Sequence, residues 1–329
     1  MSELFEAYGE LEDFEDRLAS ADPGERRVAV MELGDFGEAG AIPLLLKSLE
    51  DTDAGVRTQV AVSLGEYDGP EAAAALAKAL LDPEPEVAKA AAISAAELKD
   101  PASADPLLPL VAEESAFVRA SALRALKELR RPDTLKVALG ALGDKEAPVR
   151  AEAVGVIGFL KMEEAIPALK SATQDDDAGV RRAAVSALSF SQLKTAQDTI
   201  IHATTDKDWQ VREIAAETLG KGEEKPEAAK ALMDIMTDEF WQVRWKATRS
   251  LGQLHVTEAV DLIAPGLNHD QAPNLRKEAA AALGEIASPK GIDYLKPHAD
   301  DPDPDVRKNV RWALDRIAAN KDKDPAATS

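Results

Sequence analysis

The sequence contains no cysteine, and phenylalanine, tryptophan and tyrosine together make up only 4% of its 329 residues. Without cysteine there is no disulfide, iron–sulfur cluster, thiolate zinc site or cysteine nucleophile. No apolar run approaches the roughly 18 residues of a membrane span, and the acidic first residues lack the basic and apolar regions of a signal peptide. These absences predict a soluble, cytoplasmic protein.

Basic residues are scarce relative to acidic ones, with 39 lysines and arginines against 60 aspartates and glutamates and a net charge of −21. Non-specific binding to nucleic acid depends on neutralising phosphates, so nucleic acid is not an expected partner. Hydrophobic residues form 45% of the chain, and many of them are alanine. The sequence therefore predicts a thin core of closely packed helices.

A tenfold internal repeat organises the chain. Its most complete form is Val-Arg-x-x-Ala-x-x-x-Leu-Gly, as in Val211–Gly220 and Val243–Gly252. We number positions from the arginine of this motif, called the register residue, which recurs every 31 or 32 residues. In repeats 1 to 10 it is Arg26, Arg57, Ala88, Arg119, Arg150, Arg181, Arg212, Arg244, Arg276 and Arg307.

Each repeat is predicted to form a helical hairpin of about 31 residues. Apolar residues at +3, +4 and +7 mark one face of a helix around the register residue, and Asp-Pro pairs such as Asp303-Pro304 predict where it begins. A glycine at +8 is expected to help end it, and a shorter helix follows. The +8 glycines are Gly34, Gly65, Gly158, Gly220, Gly252 and Gly284. One hairpin is too small to bury its own apolar face, so the repeats must stack.

The register motif, the Ala-Ile-Pro-x-Leu string at 165–169 and the period resemble HEAT repeats of the short type found in phycobilisome lyases. The resemblance covers roughly residues 20–319. It implies an all-α fold, an armadillo/HEAT-like α-solenoid of about ten two-helix repeats. We expect a single continuous domain over 1–319, with a capping helix within 1–22 and a flexible tail over 320–329.

An acidic residue six positions before the register residue also fits this family. We predict a ladder of hydrogen-bonded ion pairs between neighbouring repeats, interrupted at Ala88. The acidic positions are Asp51, Asp82, Glu113, Asp144, Asp175, Asp206, Asp238, Asp270 and Asp301.

Catalytic and metal-binding patterns are missing. The four histidines, His202, His255, His269 and His298, lack the spacing of metal ligands on a helix and are not followed by glutamate. HEAT-like di-iron hydroxylases resemble this fold but carry repeated His-Glu pairs. No phosphate-binding glycine loop, nucleophile elbow or Ser/His/Asp set occurs. We therefore assign no catalytic, cofactor-binding or metal-binding residue.

The register helices instead carry a surface stripe at positions −3, +1 and +5, which follow one another at i, i+4 and i+8. All four tryptophans lie on it, and it holds seven basic residues against Glu213 and Glu217. Position +9, one turn further, is mostly acidic. In HEAT-like arrays these helices line the concave side, so the resemblance implies a tryptophan-bearing groove. The predicted partner-binding residues are Trp209, Phe240, Trp241, Trp245, Arg249, Lys277, Lys308 and Trp312.

Several functions fit these features. The first is a non-enzymatic adaptor or scaffold that binds a protein or peptide in the groove through tryptophan and arginine side chains, which dominate interface hot spots. The second is a bilin lyase, isomerase or chromophore-binding chaperone, with arginine or lysine pairing the propionates of a tetrapyrrole. The third is a damaged-DNA glycosylase with a HEAT-like fold, which the overall charge disfavours. In the remaining interpretation, the rings pack on neighbouring helices as core filler.

Overall fold

A computed structural model describes residues 13–36, 39–222, 226–268 and 273–321 of the chain, and this part contains helices, turns and loops but no strand. The odd-numbered helices carry the register residues and are called register helices. They are α1 (Pro23–Phe36), α3 (Ala54–Ser63), α5 (Pro85–Ala95), α7 (Ala116–Leu129), α9 (Ala147–Leu160), α11 (Ala178–Ala187), α13 (Trp209–Leu219), α15 (Trp241–Gln253), α17 (Pro273–Ile286) and α19 (Pro304–Lys321).

Most of the even-numbered helices are shorter than the register helices, although α4 and α12 match their neighbours in length, and 3-10 turns extend most of them. They are α2 (Ile42–Ser48), α4 (Pro70–Leu80), α6 (Ala104–Leu107), α8 (Thr134–Ala141), α10 (Ile166–Ala172), α12 (Lys194–Ala203), α14 (Pro226–Asp234), α16 (Val260–Ile263) and α18 (Gly291–Leu295). The alternation of a register helix and an intervening helix confirms the helical-hairpin repeat predicted from the sequence.

The chain divides into two compact units, Met1–Met162 and Glu163–Ser329. In the first, α1, α3, α5, α7 and α9 pack each against the next; in the second, α11, α13, α15, α17 and α19 do the same. Short helices pack beside the register helices of their own unit. Both units are all-α solenoid stacks, as predicted. The continuity of the solenoid over residues 1–319 stays a prediction.

At the ends of the chain, the predicted capping helix is described from residue 13, and residues 13–18 are helical. Phe14 of this segment contacts Phe36 edge to face, with ring centroids 6.1 Å apart. Residues 1–12 of the predicted capping segment lie outside the described residues. The last helix continues to Lys321, and the rest of the predicted tail also lies outside them.

The register helices begin where the sequence places a cap. Asp53 and Asp177 precede α3 and α11, and each side chain accepts a hydrogen bond from the backbone N–H three residues later. These bonds satisfy amide groups that the first turn of a helix leaves unpaired. Pro85 lies in the first turn of α5, where its missing N–H costs no helical bond.

The predicted ion-pair ladder is present and joins consecutive repeats. Arg57 donates from Nε and a terminal nitrogen to both oxygens of Asp82, at 2.7 and 3.0 Å. Its other terminal nitrogen donates to the backbone carbonyl of Asp51 in its own repeat, at 2.8 Å. The same bidentate pairing recurs in Arg26–Asp51, Arg119–Asp144, Arg181–Asp206, Arg212–Asp238 and Arg276–Asp301.

The +8 glycine ends a register helix at Gly220, the C-cap residue of α13, but the prediction was wrong for the +8 glycines that lie inside their helices, Gly34, Gly158, Gly252 and Gly284. Gly34 lies inside α1, which continues to Phe36, and Gly252 lies inside α15. Their role is close approach between neighbouring repeats. A Cβ on Gly34 would lie 2.7 Å from Ser63 Oγ, and one on Gly252 would lie 2.8 Å from the Cα of Ala282. Ser63 donates a hydrogen bond to the carbonyl of Val30, which strengthens the contact.

We expect Gly34→Ala to destabilise the first unit by roughly 1–3 kcal/mol, because the added methyl group would force α1 and α3 apart. Gly140→Ala is the matched control in the same unit, since a Cβ there meets nothing within 4 Å. It should be neutral or slightly stabilising, as alanine favours a helix over glycine. Urea unfolding of the two variants measures the difference, and equal stabilities would contradict this role for the glycine.

We expect Arg57→Ala to lower the free energy of unfolding by about 2–4 kcal/mol, because it leaves the Asp82 carboxylate without its buried partner. The side chains of this pair are only 12% and 9% exposed. Arg27→Ala is the control, as Arg27 is exposed and adjacent to another ladder arginine. If both variants unfold at the same urea concentration, the ladder does not stabilise the stack.

The ladder also predicts a dependence of stability on pH. Hydrogen bonding from Arg57 lowers the pKa of Asp82 below its usual value. A lowered folded pKa gives stability that is present above the unfolded value of about 3.9 and lost as pH falls towards the folded value. The stability difference between the wild type and Arg57→Ala should therefore be constant near neutral pH and shrink below about pH 4. A difference that grows on acidification would refute this.

Candidate partner-binding surface

Four aromatic side chains lie where register helices α13 and α15 begin in the second unit. Trp209 is the first residue of α13, preceded by Asp208, whose carboxylate accepts a hydrogen bond from the N–H of Gln210. Phe240 precedes α15, Trp241 is its first residue, and Trp245 follows one turn later. Because α13 and α15 pack together and Trp209 and Trp241 occupy the same repeat position, these rings share one face of the unit.

The rings form two contacting pairs. Trp209 stacks on Phe240, with centroids 5.2 Å apart and planes 11° from parallel. Trp241 and Trp245 are tilted by 38°, with centroids 6.3 Å apart. The guanidinium carbon of Arg212 lies 5.8 Å from the Phe240 centroid, within the range of a cation–π contact. Since Arg212 is a ladder residue, the first pair is fixed to the framework of the stack.

Charged side chains hold Trp245 in place, directly from α15 and α17 and, through Lys246, from α13. Its indole Nε1 donates to Oε2 of Glu278 on α17 at 3.1 Å. The Lys246 ammonium lies 4.9 Å from its ring centroid. Lys246 also pairs with Glu217 on α13 at 2.7 Å. The ring is therefore held between contacts that cross both helix boundaries, and all four aromatic side chains remain partly exposed.

Glu217 is the most strongly perturbed carboxylate of this region. Hydrogen bonds from Lys246 and from Lys221 lower its pKa to about 2 despite its partial burial. It is therefore fully ionised at neutral pH, and two ammonium groups compensate its charge. This pairing leaves a surface that is less acidic than Glu217 alone would make it.

The remaining predicted contact residues are less closely grouped. Arg249 and Lys308 are exposed and make no ion pair with any described residue, while Lys277 lies 4.0 Å from Asp305. Trp312 is 39% exposed and lies near Arg316, whose guanidinium carbon is 5.3 Å from its ring. Among the described residues, no ring contact or hydrogen bond connects Trp312 or Lys308 with the four rings above. The structure thus brings together Trp209, Phe240, Trp241 and Trp245.

The surface stripe predicted from the sequence does not include Lys246 and Glu278, which both occupy position +2. In the structure, +2 of one repeat meets +1 or +5 of the preceding repeat. Lys246 meets Glu217 and Glu278 meets Trp245 in this way; in the first unit, Glu152 likewise meets Arg124. The spacing of 28 to 33 residues between such partners is the signal that identifies them.

Over the described ranges, no three histidine, aspartate or glutamate side chains gather as metal ligands would. In that same part of the chain, no helix has both the length and the hydropathy needed to cross a bilayer.

Comparison with known proteins agrees with the helical repeats described above. A family model described as HEAT repeats matches residues 11–97, 70–127, 104–189, 180–239 and 229–315. No curated protein matches the sequence. Among solved structures, the Escherichia coli protein YibA is similar over 82% of this chain and 97% of that one, with a TM-score of 0.62 and 16% identity.

Two further solved chains are similar to this one. A chain from the structure of Kap95p with RanGDP is similar over 93% of this chain and 54% of that one, with a TM-score of 0.54 and 16% identity. An engineered protein is similar over 93% and 98%, with a TM-score of 0.49 and 21% identity. Identities this low show the fold alone. The family model covers nearly the whole sequence and agrees with the repeat geometry, and the chain therefore belongs to the HEAT-repeat family.

Proposed function

We propose that the protein is a non-enzymatic interaction module, an adaptor or scaffold that binds a partner protein or peptide. Its contact surface in the second unit is built around Trp209, Phe240, Trp241 and Trp245 on the concave side expected for register helices. The observation that supports this most directly is that the four rings are held by neighbouring side chains and yet remain partly exposed.

Preorganisation makes these rings suitable for binding. A ring that already stacks on Phe240 or donates to Glu278 loses little conformational freedom when a partner covers it. Large aromatic side chains also bury much area per immobilised group, which is why tryptophan is enriched among interface hot spots. The helical core does not demand these residues, because other repeats carry alanine, proline or charged residues at the same positions.

The charged side chains beside the rings indicate what kind of partner segment they would bind. Arg249 lies one turn after Trp245 on α15, is exposed and has no ion-pair partner among the described residues. Glu217 is already paired with two lysines, so Arg249 is the accessible cation that follows the rings on α15, whereas Glu213 is partly exposed on α13. We infer a partner segment that offers apolar side chains to the rings and a carboxylate to Arg249. Such a surface differs from a phosphate-binding groove, which needs many cations along its length.

The assignment to the short phycobilisome-lyase type of repeat stays a prediction. A bilin-related function would follow from that subfamily, and no side-chain arrangement in the described residues favours it over protein binding. The protein-binding proposal therefore rests on the aromatic surface itself.

Affinity capture from a native lysate, followed by affinity measurement with the purified partner, tests the proposal. We expect the double variant Trp241→Ala/Trp245→Ala to bind at least ~30-fold more weakly, as loss of hot-spot rings does. Arg249→Glu, which keeps every ring, should also weaken binding, because it reverses the accessible charge.

The control is Leu193→Ala/Leu262→Ala, which removes exposed leucines of the same unit away from the rings. Circular dichroism and urea unfolding establish that each variant remains folded. A folded tryptophan double variant that binds as tightly as the control would exclude this surface as the contact site.

A further inference from the structure

The first unit carries a second surface of different composition, at position +5 of repeats 1, 2 and 3. Met31, Val62 and Ile93 occupy this position on α1, α3 and α5. Their exposed fractions are 47%, 51% and 71%. Because the three helices pack consecutively and helix axes in such contacts lie about 8–10 Å apart, the three side chains form one row.

Folding does not account for this row. Isolated exposed aliphatic residues are common on protein surfaces, but these three recur at one repeat position on adjacent helices. The repeats that follow carry Arg124 and Gly155 at +5, so the stack forms without an aliphatic residue there. The row is therefore a property of repeats 1 to 3 rather than of the fold.

A row of carboxylates runs beside it, four residues further along the chain in each repeat, on α1 and in the turns that directly follow α3 and α5. Asp35, Glu66 and Glu97 occupy position +9 and are exposed. Within the described residues none of the three side chains makes an ion pair or a hydrogen bond. By contrast, the carboxylates of the ladder and Glu152 are paired with arginine. The three +9 carboxylates are thus available to cations from another molecule.

We propose that these two rows, the aliphatic–acidic surface, bind a basic amphipathic helix of a partner protein. The spacing fits such a helix, because residues i and i+7 are about 10.5 Å apart along its axis. Apolar residues at i, i+7 and i+14 would meet Met31, Val62 and Ile93, and lysine or arginine along one edge would face the carboxylates. About 15 residues are enough to span the three register helices.

This surface is independent of the tryptophan surface in the second unit. It lies on a different unit, it has carboxylates unpaired among the described residues along its +9 edge where the other has Arg249, and that edge selects a partner segment of the opposite charge. An adaptor with both would bind two kinds of segment. Failure of the tryptophan proposal would leave this one unaffected, since no residue is shared.

The test uses the full-length protein and a synthetic 18-residue peptide with leucine along one helical face and lysine along the other. A peptide with glutamate in place of lysine is the control ligand. We expect the leucine–lysine peptide to bind, its affinity to fall with added salt because exposed charges are screened, and the glutamate peptide not to bind. Fluorescence anisotropy of labelled peptides measures both.

Substitutions locate the site. Val62→Ser/Ile93→Ser should weaken binding of the leucine–lysine peptide at least about tenfold, as expected when two buried aliphatic contacts are lost. The matched control is Leu81→Ser/Leu139→Ser, which removes exposed leucines of the same unit outside the row. Glu66→Gln/Glu97→Gln should weaken binding and flatten its salt dependence, whereas Glu84→Gln/Glu114→Gln, also exposed, should not.

Four results would overturn the proposal. In the first, the row variants bind the peptide as tightly as their controls; in the second, the glutamate peptide binds as well as the lysine peptide. In the third, the wild type dimerises in sedimentation experiments and Val62→Ser/Ile93→Ser does not, which would make the row an interface between copies. In the fourth, the peptide binds only after residues 1–12 are deleted, which would make that segment the occupant.

Discussion

The guanidinium group of a ladder arginine such as Arg57 donates hydrogen bonds to its own repeat and to the next one. This contact sets the geometry on which the stack depends. Arg57 donates to the Asp51 carbonyl of its own repeat and, through its other nitrogens, to both carboxylate oxygens of Asp82 in the next. A bidentate pair fixes orientation as well as distance. Partly buried ion pairs add modest net stability but penalise alternatives strongly, because a misaligned register would leave a desolvated charge unpaired. The ladder therefore specifies how each repeat is placed on its neighbour.

Once the register is fixed, the small-residue contact between repeats can form. Gly34 on α1 lies against Ser63 on α3 with no room for a Cβ, and the serine donates back to the Val30 carbonyl. Because neighbouring register helices approach this closely, alanine-rich helices can pack tightly without large side chains. It also aligns equivalent positions of successive helices into rows, so that whatever residue type recurs at +1, +5 or +9 becomes a continuous feature of the surface.

The sequence predicted the features that depend on residues within one repeat or on the regular spacing of the repeats. It did not predict those that depend on how two repeats pack. Asp82, six residues before a register position, predicted the ladder, and the i, i+4 spacing of Trp241 and Trp245 predicted a shared face. The role of Gly34 was misjudged because its constraint comes from Ser63, a residue of the next repeat. Glu278 was missed for the same reason, since its contact with Trp245 depends on how two register helices pack.

The positions of the carboxylates indicate which of them serve more than solubility. The ladder aspartates are already paired by the stacking contacts, so the exposed +9 residues Asp35, Glu66 and Glu97 are surplus to it. Surplus acid alone would keep the protein soluble and monomeric, and any exposed position would serve that purpose. Solubility does not call for Met31, Val62 and Ile93 one turn away, which oppose it. The proposed ligand, which is both apolar and cationic, accounts for the aliphatic row and the carboxylate row together.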